Sequence, residues 1–120
     1  MTEPAQQWRA GLRSRLIAAR KAKDDVAVAA LRSALSAIDN AETPDVPLPR
    51  AGAIADSAHG LGAAEVARRQ LTEDQIRELI DTEADERRAA AGQLRSAGRD
   101  DRAAQVEAEA DVLRALLGSD

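Results

Sequence analysis

The large apolar residues near the start of the chain fall at helical spacing and not in alternation. Trp8, Leu12, Leu16 and Ala19 lie within about 80° of one another at 100° per residue, one narrow face of an amphipathic helix. This predicts a first helix from about 4 to 21, with Thr2 available as a cap and Pro4 tolerated in the first turn. Lys23-Asp24-Asp25 interrupts the pattern and supplies a cap for a second helix over about 24–42. There Val28, Leu31, Leu35 and Ile38 recur at steps of three, four and three, the spacing of a helix packed along a neighbour. So short a connection predicts an antiparallel hairpin.

A second hairpin is written more clearly still. In Leu71-Thr72-Glu73-Asp74-Gln75-Ile76, Thr72 can accept from the amide of Gln75, and the Gln75 side chain can reach back to the amide of Thr72. Leu71 can pack on Ile76, which completes a capping box with a hydrophobic staple. The third helix then runs over about 72–97, carrying Ile76, Leu79, Ile80 and Leu94, with Glu83 and Arg87 as an i,i+4 pair. Gly98 suits the C′ position after it. A fourth helix over about 100–117 presents Val106, Ala110, Leu113 and Leu117, and Gly118 stops it.

Between the hairpins, 43–71 is a long Pro/Gly/Ala loop: Pro44, Pro47 and Pro49 favour an extended start, and one short helical turn is expected within 63–69. The expected fold is all-α, a single domain over 1–120 in which two antiparallel helical hairpins pack as a four-helix-bundle-like unit.

Composition limits what such a bundle can hold. Of 120 residues, 28 are Ala and only 23 are Leu, Ile or Val; Trp8 is the sole aromatic residue and Cys is absent. Neither hairpin can bury much alone, so they must pack on each other or on a second copy. The net charge of −4 is unevenly spread. Residues 1–23 hold six basic residues against one acid, and Arg9, Arg13 and Arg20 lie within about 40° of one another on the flank of the first helix. With Lys21 they form a basic ridge, a candidate contact for phosphate, RNA or a protein partner. Trp8 reads as a plug in the core or an interface.

Catalytic chemistry finds little footing. His59 is the only histidine and sits in the loop with no Cys to join it. Glu83 and Glu86 lack the Glu-x-x-His partner of a di-iron bundle and read as a solvated face with i,i+4 pairs. No Ser or Thr stands in a nucleophile elbow or a Ser-x-x-Lys context. Gly60-Leu61-Gly62 lacks the Lys-Ser/Thr and the preceding strand of a phosphate loop. The expectation is therefore no catalytic residue, no metal site, no cofactor and no small-molecule substrate. Met1-Thr2-Glu3-Pro4 carries no basic or apolar leader, and no run approaches the roughly 18 apolar residues of a membrane span. A cytoplasmic protein with no membrane contact is expected.

Lys21-Ala22-Lys23-Asp24-Asp25 leading into Leu31-Arg32, followed by Ile38-Asp39-Asn40-Ala41-Glu42, resembles the opening hairpin of YqeY-like proteins of the GatB/YqeY family. The later block extends the likeness: Leu71-Thr72-Glu73, the Glu-x-x-x-Arg pattern within Glu83 to Ala89, and the joint Ala97-Gly98-Arg99-Asp100-Asp101 leading to Glu107-Ala108-Glu109 and Val112-Leu113. The resemblance covers about 1–43 and 71–117. It implies an all-helical bacterial protein linked to the glutamine-dependent aminoacyl-tRNA amidotransferase, whose B subunit has a tail similar to the family's smaller C-terminal domain. With the chain ending at Asp120, that tail-like domain is expected to be absent. Leu116-Leu117-Gly118 stands where the family tends to Tyr-Leu-Pro, and the 44–70 loop is longer than in compact members.

The function expected is a non-catalytic helical interaction or accessory module working through a protein partner or self-association. A tRNA- or RNA-binding factor using the basic ridge is the alternative. Carbon–nitrogen ligase activity with glutamine as amido-N-donor would rest on family membership alone.

Overall fold

A computed structural model describes residues 3–43 and 69–118. These residues form four helices: α1 (Pro4–Lys21), α2 (Asp25–Glu42), α3 (Glu73–Ser96) and α4 (Asp100–Leu117). The all-α expectation holds, as do the four helices to within a residue at each end. The short turn expected within 63–69, the extended Pro start, His59 and Gly60-Leu61-Gly62 all lie outside the described residues, save Arg69, which is not helical.

Local chemistry explains the helix ends. Glu3, not Thr2, occupies the N-cap of α1, and it makes no side-chain cap bond; Pro4 at the first helical position lacks the amide that would need one. Asp24 caps α2 by accepting from the amide of Ala27 at 3.0 Å. The capping box of α3 is complete: Thr72 Oγ1 accepts from the Gln75 amide at 3.1 Å and Gln75 Oε1 from the Thr72 amide at 2.9 Å. Gly98, at φ +77°, ends α3 in the left-handed region. The α1–α2 turn does the same with Lys23, the only described non-glycine residue at positive φ (56°).

The two hairpins form as predicted and pack on each other. α3 and α4 make the most extensive contact, α2 lies against both, and α1 packs mainly on α2 with an edge on α3. Leu12, Ile38, Ile76, Ile80 and Leu113 are the largest fully buried side chains. Ala30, Ala34, Ala84 and Ala110 complete the main core with no measurable exposure, and small side chains there let the helix backbones approach closely. A smaller cluster of Ala91, Ala103 and Val106 lies wholly between α3 and α4.

This alanine packing changes two expected faces. On α3 the deep positions are Ile76, Ile80, Ala84 and Ala91, while Leu79 and Leu94 are half-buried. On α4 Leu116 is buried and Leu117 half-buried, so the Leu113–Leu116 edge of the helix faces the core. Finally, the amide of Arg69 donates to the carbonyl of Glu42 at 2.8 Å, which places Arg69 at the end of α2.

Candidate functional site

The basic ridge of α1 divides in two. Arg9 is turned toward α2, where its guanidinium donates to Asp39 at 2.7 Å and Glu42 at 2.6 Å. Burial works to lower the Arg9 pKa, but the hydrogen bonds and charges of Glu42 and Asp39 outweigh it and hold the pKa above its ordinary value. Arg9 thus joins the first hairpin at the last turn of α2. It also lines an open groove of about 760 Å³ with Arg13, Arg69, Glu3, Asp39 and Glu42, whose mixed charges give it no single sign.

Arg13, Arg20 and Lys21, the other ridge residues, are exposed. None of their side chains makes a hydrogen bond or ion pair among the described residues, and neither do those of Arg15 and Lys23. Amid them stands Ile17, the one exposed large hydrophobic residue described, at 56% exposure. Arg13, Ile17 and Arg20 fall at i, i+4 and i+7, about 60° wide on the outward side of α1. Sequence reading passed over Ile17 because Leu16 beside it belongs to the core stripe. The signal was present: an isoleucine about 145° from the centre of that stripe cannot share its burial.

Trp8 faces the bundle. It is half-buried against the core, and its indole Nε1 donates to Glu73 Oε1 at 2.9 Å. Arg77 continues the chain, lying 3.5 Å from Glu73 Oε2 and donating to the Leu117 carbonyl at 2.5 Å. Trp8 therefore ties α1 to the start of α3, and Arg77 ties the start of α3 to the end of α4.

The deepest polar cluster lies where α2, α3 and α4 meet. Arg87 Nε donates to Glu109 at 3.1 Å, its Nη1 donates to Glu83 at 3.0 Å, and its Nη2 donates to the Ser33 hydroxyl. This corrects the solvated-face reading of Glu83: α2 and α4 converge on this level of α3, so the i,i+4 pair is half-buried, whereas Glu86 remains exposed. Chemically the cluster is a clamp. Each carboxylate is held by the same guanidinium, and the Ser33 hydroxyl accepts from it. No group of three or more His, Cys, Asp or Glu residues suited to a metal occurs among the described residues. Outside this clamp, Arg95 and Glu107 pair at 2.5 Å between α3 and α4. Hydrogen bonding to Arg95 lowers the Glu107 pKa, and the same bond raises that of Arg95.

No described helix is long and apolar enough to cross a membrane. No known family, no curated protein and no solved structure matches the chain.

Proposed function

We propose that this chain is a non-catalytic helical interaction module of the YqeY-like kind, a cytoplasmic accessory factor that works by contact with another protein. One observation carries the reading: the outward side of α1 collects partnerless cations around an exposed isoleucine. Several other arginines are consumed in holding helices together, as Arg9, Arg87, Arg95 and Arg114 are. A rim of free charge around an apolar centre is the anatomy of a protein contact, where the centre is desolvated and the rim steers approach. The resemblance of the two hairpins to the GatB/YqeY family suggests the tRNA amidotransferase as the assembly in which the module works.

The partnerless cations favour a second reading, contact with the tRNA backbone. It predicts salt-sensitive binding that weakens in Arg13→Ala/Arg20→Ala. Both readings are tested by immobilising the chain in a lysate of its own host and analysing retained protein and RNA beside an Ile17→Glu control. Protein retained by the parent chain and lost from Ile17→Glu is the expected result. Equal retention by both chains, or RNA retained without protein, overturns the protein-contact reading. Glutamine-dependent ammonia release by the chain alone would overturn the non-catalytic part.

A further inference from the structure

The outward side of α3 repeats the geometry of α1 with the charge reversed. Glu78, Thr82 and Asp85 are all exposed, and they stand at i, i+4 and i+7, as do Arg13, Ile17 and Arg20. In each row the outer two residues are separated by seven positions, about 10.5 Å along the helix axis. In each row, too, the middle residue is displaced by about 40–60° to the same side of the charged pair. The side chains of Glu78, Thr82 and Asp85 make no hydrogen bond or ion pair among the described residues. All six side chains are exposed, and none pairs with another within the molecule.

We infer that the α1 row docks on the α3 row of a second copy of this chain. The inference rests on the interaction-module reading above and names an occupant for the same surface. Arg13 and Arg20 meet the two carboxylates, and Ile17 packs on the Thr82 methyl between them. Laid antiparallel, Arg13 faces Asp85 and Arg20 faces Glu78. Charge complementarity at matched spacing selects a second copy: a nucleic-acid backbone would satisfy the arginines but leave Ile17 against phosphate and sugar. Each molecule carries both rows, so a pair can close by exchanging two equivalent contacts. The association is weak and screened by salt, because exposed ion pairs contribute little individually.

Sedimentation equilibrium over a concentration series reads this directly. At roughly 0.02 M salt, where charges interact over a long range, the mass is expected to rise with concentration from 12.7 kDa toward twice that value. At about 1 M salt, where the Debye length is about 3 Å, it stays monomeric. Arg13→Glu/Arg20→Glu abolishes the rise, as does Glu78→Arg/Asp85→Arg, and mixing these two variants restores association at a one-to-one ratio. All four substituted side chains are exposed and partnerless, and an unchanged far-ultraviolet circular dichroism spectrum verifies that the fold survives. A parent chain monomeric throughout the low-salt series overturns the pairing, as does association indifferent to charge reversal or a mixture that fails to restore it. The pull-down with Ile17→Glu reports separately on whether the surface binds another protein, so failure of self-pairing is distinguishable from failure of the module reading.

Discussion

Replacing Arg87 with alanine tests whether the α2–α3–α4 junction depends on its clamp. The Arg87 side chain is 18% exposed and that of Glu109 10% exposed, so both charges are largely withdrawn from water. Removing the guanidinium strands the Glu109 carboxylate, whose only ion-pair partner among the described residues is Arg87, and leaves Glu83 and Ser33 without their donor. Breaking a buried pair by deleting one partner costs about 3–5 kcal/mol. Residual solvent contact at Arg87 and Glu83 lowers this to about 2–4 kcal/mol. Against a total stability of about 6–10 kcal/mol for a small domain with a thin core, that is a large fraction.

Urea denaturation followed by circular dichroism at the helix band measures it. With a slope of about 1–1.5 kcal/mol per molar for a chain of this size, Arg87→Ala should lower the midpoint by roughly 1.3–4 M. The companion variant Arg87→Leu/Glu109→Leu removes both buried charges and should recover most of the loss, ending within about 1 kcal/mol of the parent. A single variant that loses less than about 1 kcal/mol, or a double variant no more stable than the single, would refute the argument that a stranded carboxylate dominates the cost.

Gly11 and Gly92 lie inside α1 and α3, exposed, and a Cβ at either position meets nothing within 4 Å. Gly11→Ala and Gly92→Ala should each stabilise by about 0.5–1 kcal/mol in the same urea assay. Lys23 holds a φ of 56° that costs an L side chain about 1–2 kcal/mol, so Lys23→Gly should raise the melting temperature, partly offset by the greater freedom of glycine in the unfolded chain. Glu107 titrates below the ordinary glutamate range because of Arg95. Its contribution to stability is therefore present above the unfolded-state pKa and is lost as pH falls through the lowered folded-state value. Carboxyl chemical shifts should show Glu107 titrating at higher pH, closer to the ordinary glutamate range, in Arg95→Ala; an unmoved titration curve would count against the pair.

Sequence legibility followed the range of each interaction. The Thr72–Gln75 box, the Asp24 cap, the Gly98 terminator and the Glu83–Arg87 pair span four residues or fewer, and each formed as its local chemistry required. The α1 stripe was legible because helical periodicity alone puts Leu12 and Leu16 on one side. Burial on α3 and α4 was less so. Alanine carries almost no hydropathy signal, yet Ala84, Ala91, Ala103 and Ala110 fix where those helices touch. The Arg9 pairs with Asp39 and Glu42 span 30 and 33 residues, and the bond from Arg87 to Ser33 spans 54. These depend on which helix lies beside which, information that no single helix wheel contains. Hence the basic ridge was visible as a ridge, while the division between a structural Arg9 and free Arg13, Arg20 and Lys21 was not.

That division gives the net charge of −4 a physical form. On α3 and α4, Arg87, Arg88, Arg95 and Arg114 each reach a carboxylate on the facing helix. The acids they neutralise lie on the flanks facing the partner helix, which leaves Glu78 and Asp85 uncompensated on the outer side of α3. On α1 only Arg9, among the described residues, has an acidic partner on a facing helix: it meets Asp39 and Glu42 in the last turn of α2, while Asp25 in the first turn of α2 pairs with none of the α1 cations. The remaining cations are therefore uncompensated on the opposite end of the charge balance. A thin core makes the segregation tolerable: alanine contacts hold the helices close without requiring each outward face to be neutral. Two exposed faces of opposite sign follow from how the bundle satisfies its interior pairs.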